Sequence, residues 1–468
     1  MKAQSPLSLT LRAKRVKDST RARALPPDRS PEGRGERRRW LALGFIAVAQ
    51  LMIALDATIV SIALPSAQAA LHVASSDRQW VITAYTLAFG GLLLLGGRIA
   101  DFAGRKRALL IGLAGFALAS SVGGAAPNFT VLVAARAAQG AFAALLAPTA
   151  LSLLAVTFTE ARERATAFAV YGSIAGSGAA IGFLLGGTLT QYLSWRWCLY
   201  VNIPIALAAA AGASLVLPST PARNANPHLD LPGVLLVTAG MVALVYGCAD
   251  SRPFLAVSAV LLALFVWREA TTSNPLLPLG IVLDRNRGGA YATVALTIAA
   301  MFGAFLFLTY YFQVSLRYTP LQAGLAFLPL VVSQQAGSWL LASRLMPHIP
   351  ARVLMAPGAV LAALGMLLLV QVPLLAEVLL GVGVSCVMVP AFSLATQGVD
   401  PRQAGVAAAT ANASTQIGGS VGAALLNSIV TSAGFAVASE WGALILLLGA
   451  VSAAALINAR RPPARAHR

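Results

Sequence analysis

Fourteen runs of apolar residues, each near the length a helix needs to cross a bilayer, leave this chain few ways to fold. About 20 predominantly apolar residues span the hydrocarbon core, and lipid obliges every backbone N–H and C=O to pair within the protein. The runs lie near 41–64, 80–98, 107–126, 129–153, 165–190, 196–217, 230–249, 253–268, 288–313, 320–343, 352–370, 373–396, 404–429 and 441–458. Short polar links divide them, with a longer Pro/Asn-rich link, "PSTPARNANPH", after the sixth and "TTSNPLLPLGIVLDRNR" after the eighth. Only 11% of residues are charged, against about 25% in a soluble domain. The pattern predicts an all-α polytopic membrane protein.

The cations set the orientation, because cytoplasmic links are enriched in Lys and Arg. With the amino terminus inside, the inner segments carry 29 of the 34 Lys/Arg and the outer links carry four: Arg78, Arg196, Arg252 and Arg317. Arg136 falls within a span. A wrong span count would scramble this alternation, so both termini are expected on the cytoplasmic side of a plasma or bacterial inner membrane.

The net charge of +18 is not read as nucleic-acid binding. Residues 1–39 alone hold 12 Lys/Arg against four acids and no apolar run long enough for a signal peptide. They read as a disordered basic tail lying near an anionic membrane face; residues 459–468 form a second basic tail. Cys198, Cys248 and Cys386 are scattered in apolar surroundings and read as small apolar residues. The four His residues suggest no metal cluster. No GxxxxGKS/T phosphate loop occurs, and no nucleophile, base or metal constellation marks an enzyme. No cofactor is expected.

Two charges lie deep. Asp56 is the only acid well inside a span, about nine residues before Pro65, or roughly 13 Å from the outer end. Arg136 is the only cation well inside one, about seven residues into the fourth span, roughly 10 Å deep. A midplane acid costs about 2.5–3.5 kcal/mol on insertion scales. Such a pair either neutralises itself in lipid or serves proton coupling, since desolvation favours the neutral acid and a nearby Arg its anion. Gln139 follows Arg136 on the same helix face. The link "GGRIADFAGRKR" (96–107) adds an acid, Asp101, that topology does not need.

That link resembles the signature loop of the major facilitator superfamily, G-x-L-A-D-x-x-G-R-K-x-x-L, through Gly97, Ile99 for Leu, Ala100, Asp101, Gly104, Arg105, Lys106 and Leu109. "LDATIVSIALP" (55–65) resembles the first-span motif of its fourteen-span drug:proton antiporters, with Ser61 for the usual Asn. "RAAQGAFAA" (136–144) resembles the fourth-span R-x-x-Q-G. "GAAIGFLLGG" (178–187) resembles the fifth-span antiporter motif G-x-x-x-G-P-x-x-G-G, with Phe183 for Pro. "WRWCLYVNIPI" (195–205) is similar to the start of the sixth span. The second copy of the loop, "GSWLLASRLMPHIPAR", keeps Arg344 and Arg352 but lacks the acid.

The resemblance implies the major-facilitator fold: a six-helix bundle (40–217), a linker with a two-helix insert (218–287), and a second six-helix bundle (288–458). The bundles would rock about a central cavity. It implies proton coupling at Asp56 and Arg136, and gating by Gly97, Asp101, Gly104, Arg105 and Lys106, with Asp101 clasping the segment "DPRQAG" (400–405). Gly178, Gly182, Gly186 and Gly187 would lie at a helix interface. Gln139, Tyr310, Tyr311, Gln334, Asn412 and Gln416 are candidates for the substrate cavity, with interhelical hydrogen bonding as the alternative for Gln139, Asn412 and Gln416. The expected activity is export of small amphipathic organic compounds, such as drugs or antibiotics, in exchange for protons. A narrower metabolite exporter and a non-transporting membrane sensor are the rivals. Spans 9 to 13 hold no deep acid, since Glu377 and Glu440 fall near outer ends, so substrates with two positive charges are not expected. The partners are small molecules, protons and lipid. An accessory envelope protein is allowed, and function as a monomer is expected.

Overall fold

In lipid a helix satisfies its own backbone, and the apolar runs fold accordingly. The computed structural model describes residues 31–217, 230–249, 251–272, 275–346, 348–399 and 404–458. Among them twelve helices are long and apolar enough to cross a bilayer, and there is no strand. The chain is a multi-pass integral membrane protein.

In chain order the helices are α1 (Pro31–Leu71), α2 (Trp80–Ala103), α3 (Arg105–Gly124), α4 (Phe129–Thr157), α5 (Ala161–Tyr192), α6 (Asn202–Val216), α7 (Leu231–Ala249) and α8 (Pro253–Thr271). Then come α9 (Arg285–Tyr310), α10 (Pro320–Ala326 and Leu328–Ala336), α11 (Ala351–Leu367), α12 (Pro373–Thr396) and α13 (Ala404–Leu456). Most of the predicted tail, the polar link 218–229 and the segment 400–403 lie outside the described residues. Helix α1 begins at Pro31, inside the stretch expected to be tail.

Several runs are less regular than their hydropathy. The predicted run 196–217 is a one-turn helix, Trp197–Tyr200, followed by α6. Run 320–343 breaks at Phe327, because Pro329 has no N–H to continue the ladder. A π-helical turn, Gly337–Ala342, follows it, and another, Tyr311–Ser315, ends α9. The last two predicted spans are continuous in α13 except at Gly434, where φ is 87° and ψ 177°. Glycine reaches that conformation without a Cβ clash. Helix α11 has 17 residues, short for a span.

Two main cores form. One joins Ile46, Met52, Phe89, Phe116 and Leu146 of α1 to α4, Phe158 at the end of α4 and Tyr171 of α5, with alanines of α6. The other joins α9 to α13 through residues such as Phe307, Leu330, Met366, Leu380 and Leu446, and it recruits Phe183 of α5. Large apolar side chains also point outward, among them Leu118, Leu207, Leu235, Trp267 and Trp339, as a lipid-facing surface requires. Helices α7 and α8 pack on each other, and α7 rests against both α2 and α13. Leu87, Val245 and Ala424 meet there, so the insert lies against both sets of helices.

Candidate functional site

Asp56 and Arg136 meet. Asp56 is 0% exposed and Arg136 1%, and Arg136 Nη1 donates to Asp56 Oδ2 at 2.5 Å. Their similar depths made the pairing legible; the packing of α1 against α4 makes it real. The other carboxylate oxygen, Oδ1, accepts from Asn202 Nδ2 at 2.8 Å and Gln139 Nε2 at 3.2 Å. Arg136 Nε donates to the Val81 carbonyl at 3.0 Å, and Nη1 also reaches Gln139 Oε1 at 2.9 Å. The guanidinium lies over the Tyr85 ring, 4.4 Å from its centroid. Gln139 further donates to Ser120 Oγ at 2.7 Å. Five helices thus supply one polar knot: α1, α2, α3, α4 and α6.

Three donors converge on the Asp56 carboxyl, two amides and the Arg136 guanidinium, and the hydrogen bond to the charged donor is the strongest of them. Asn202 Oδ1 has no partner, so one acceptor stays free beside the pair. Gln139 was a cavity candidate from sequence. Here both ends of its amide are engaged and it is 0% exposed, so it belongs to this network and does not line an open cavity. Asn202, Ser120 and Tyr85 were missed as site residues. Asn202 lay within "WRWCLYVNIPI", and a buried Asn at a helix start was the signal available.

The glycines of α5 divide by partner. A Cβ on Gly178 would sit 2.6 Å from Ala54 Cβ, and one on Gly186 2.9 Å from the Ile59 carbonyl. One on Gly182 would strike Thr58 Oγ1 and come 3.0 Å from the Leu55 carbonyl. These three face α1 on both sides of Asp56. Gly187 instead faces α10, where its Cβ would sit 2.6 Å from the Pro320 carbonyl. Phe183, in the place of the motif proline, leaves α5 unbroken. It is fully buried and stacks on Phe327 at the α10 break, centroids 4.4 Å apart and planes at 10°.

The loop after α2 turns at Gly104, whose φ is 85°. Asp101 is exposed and pairs only loosely with Arg105, at 3.7 Å. Lys106 Nζ donates at 2.7 Å to the Ser214 and Leu217 carbonyls, satisfying the end of α6. Gly97 has ordinary contact with Pro148, whereas its neighbour Gly96 is the one that packs directly on the backbone of α4 at Ala144. The expected Asp101 clasp onto 400–405 falls largely outside the described residues.

At the opposite end the two sets of helices are joined. Arg78 Nε donates to Asn427 Oδ1 at 2.8 Å, and Asn427 Nδ2 donates to Gln79 Oε1 at 2.8 Å and the Ser75 carbonyl at 3.2 Å. Tyr310 donates to Gln68 Oε1 at 2.5 Å with Arg78 stacked on its ring. Gln313 reaches the Ile62 carbonyl at 3.0 Å. Tyr310, a substrate candidate from sequence, is therefore part of this closure. Tyr311 stacks on Phe307. Gln334 and Asn412 are half-buried, Asn412 bonding its own helix at Ala408. Gln416 packs on α2, its Cβ 2.9 Å from where a Cβ of Gly90 would be.

Residues 46–423 match the family model described as Major Facilitator Superfamily. The chain is 46% identical to the puromycin resistance protein pur8 of Streptomyces alboniger, over 90% of this chain and 92% of that one. It is 37% identical to the cephamycin export protein CmcT of Amycolatopsis lactamdurans, over 84% and 85%. The fold is similar to the crystal structure of the POT family transporter PepTSo, with TM-score 0.69 at 14% identity over 89% of this chain and 97% of that one. A family match across most of the chain, a relative nearly half identical end to end, and the shared helical fold agree: this chain belongs to the Major Facilitator Superfamily.

Proposed function

We propose that the protein is a secondary active exporter that moves small amphipathic organic compounds of the antibiotic or drug type out of the cytoplasm, in exchange for protons. The observation that carries this reading is Asp56, a fully buried carboxylate held by Arg136, Asn202 and Gln139 at a junction of five helices. Such a group changes its proton affinity when its partners move. Resistance and export proteins among the relatives support the substrate class. Protons moving inward supply roughly 2.3 kcal/mol per charge per 100 mV.

The chain crosses the membrane fourteen times. Gly434 divides α13 into two crossings, and α11 makes one despite its 17 residues. Both termini then lie on the cytoplasmic side. Helices α1 to α6 form one bundle and α9 to α13 the other, with α7 and α8 inserted. The closure around Arg78 and Asn427 lies at the outer face, and the Gly104 loop at the cytoplasmic face. In this arrangement the outer side is shut.

Reconstituted vesicles loaded with several candidate compounds test the proposal. A pH gradient should drive their movement in the wild type and not in Asp56→Asn. Equal proton-driven export by a well-folded Asp56→Asn would remove Asp56 from the mechanism.

A further inference from the structure

Beyond Asp56, and beyond Asp230 and Glu269 of the insert, a further carboxyl is buried among the helices α9 to α13. Glu377 lies at the fifth position of α12 and is 1% exposed. From sequence it looked like a residue near a helix end; the fold encloses it. Neither carboxyl oxygen has a hydrogen-bond partner, and Glu377 is in none of the ion pairs among the described residues. Its neighbours Ala376 and Leu380 belong to an apolar cluster with Leu330, Met366 and Leu369.

Among the described residues no cation pairs with it. Of the elements packed against α12, helix α9 carries Arg285 and Arg287 and helix α11 carries Arg352, all at the far end from Glu377. Arg344 follows the π turn after α10, Glu440 lies in α13, and Tyr310 bonds Gln68. None of these bonds to Glu377. An unpaired carboxylate in such surroundings is costly, so the carboxyl sits here as the neutral acid. In the same conformation Asp56 has Arg136 as its partner.

Glu377 is also placed to sense movement. Ser333 of α10 donates to the carbonyls of Leu330 and Glu377, at 3.0 and 3.4 Å. A Cβ on Gly381 would come 2.5 Å from the Leu330 carbonyl, so α12 and α10 touch along their backbones. The segment Leu328–Ala336 lies between the break at Phe327 and the π turn at Gly337. Its other side faces the first bundle, where the Gln335 amide lies 2.6 Å from where a Cβ of Gly176 would project. One short helical piece, hinged at both ends, thus touches α5 on one side and the Glu377 turn on the other.

We propose that Glu377 is a second proton-binding site, which holds its proton in the outer-closed arrangement and releases it when the 328–336 segment moves against α5. The step is simple protonation: one carboxylate oxygen gains an O–H bond to a proton delivered by water, and nothing is oxidised or reduced. The coupling role rests on the proton-antiport reading above.

Two measurements test it. Infrared difference spectra of the purified protein in lipid at neutral pH should show a protonated carboxyl band that Glu377→Gln loses; identical spectra would overturn the site. In vesicles with a one-unit pH gradient and puromycin as probe, losing one coupled proton should lower the steady gradient about tenfold, with recovery in Glu377→Asp. If the band is present but Glu377→Gln sustains the wild-type gradient, the proton is structural and the coupling role fails. If the wild type builds no gradient, the antiport reading fails and the coupling role with it, while the band still decides whether Glu377 holds a proton.

Discussion

Asn202 donates to Asp56 Oδ1 at 2.8 Å across 146 residues of sequence. The bond fixes the start of α6 to the acid of α1, so separating these helices must either break it or move the charge. The same oxygen accepts from Gln139 and its twin from Arg136. Removing one partner of a buried pair costs about 3–5 kcal/mol, because the other charge is left uncompensated. Arg136→Gln should therefore lower thermal stability in detergent by that order. The double variant with Asp56→Asn should recover part of the loss; additive losses would show that the pair is not coupled.

Glycine to alanine on α5 should split by position. Gly182→Ala places a methyl on Thr58 Oγ1 and near the Leu55 carbonyl, an overpacking worth about 1–3 kcal/mol, and should depress transport because it wedges α5 from α1. Gly172 has nothing within 4 Å of an added Cβ, so Gly172→Ala should stabilise by about 0.5–1 kcal/mol. Unfolding curves of the two variants would check the difference.

Asn427→Ala should loosen the closed end. It deletes the acceptor of a buried Arg78 and two bonds donated to Ser75 and Gln79 in the link between α1 and α2. A loss of about 1.4 kcal/mol from closure raises the open population roughly tenfold. Ser420, 0% exposed and bonded to Thr86 across the same seam, is the place to read it: the labelling rate of Ser420→Cys by an impermeant thiol reagent should rise accordingly; an unchanged rate would mean the contacts do not hold the end shut.

Asp101→Asn should leave stability here within about 0.5 kcal/mol, since its pairing with Arg105 is long and solvent-exposed. Its effect should fall on access, favouring the cytoplasm-open form. Thiol labelling of cytoplasmic-side cysteines would read that shift, and a stability loss of several kcal/mol would contradict the placement.

Asp284 caps α9. Its partial burial alone would raise its pKa, but hydrogen bonds from the Arg287 N–H and guanidinium outweigh that and hold the carboxyl below its ordinary value. The contribution is present above the unfolded value of about 3.9 and is lost as pH falls through the lower, folded one. Asp284→Ala should cost about 1 kcal/mol at neutral pH and progressively less below pH 4, as acid-titrated melting curves would report.

The helices and the isolated depth of Asp56 were legible in the sequence, for one physical reason. Lipid taxes every charge and every unpaired backbone group, so a long apolar run must be helical and a lone acid within it stands out. Arg136 stood out likewise, and equal depth along two helices suggested the pair. Helix irregularity was not read from the hydropathy: run 320–343 was expected to be continuous, Pro329 accounts for the α10 break once the fold is known, and nothing local announced the π turn at Gly337–Ala342. Tertiary structure alone decided what each polar side chain meets. Tyr310 and Gln139 have the composition of cavity residues, yet one joins the two sets of helices through Gln68 and the other completes the Asp56 knot. Glu377 shows the limit most clearly. Its place near a helix end suggested contact with water, but burial depends on which helices cross above it, and that is set by packing between segments far apart in the chain.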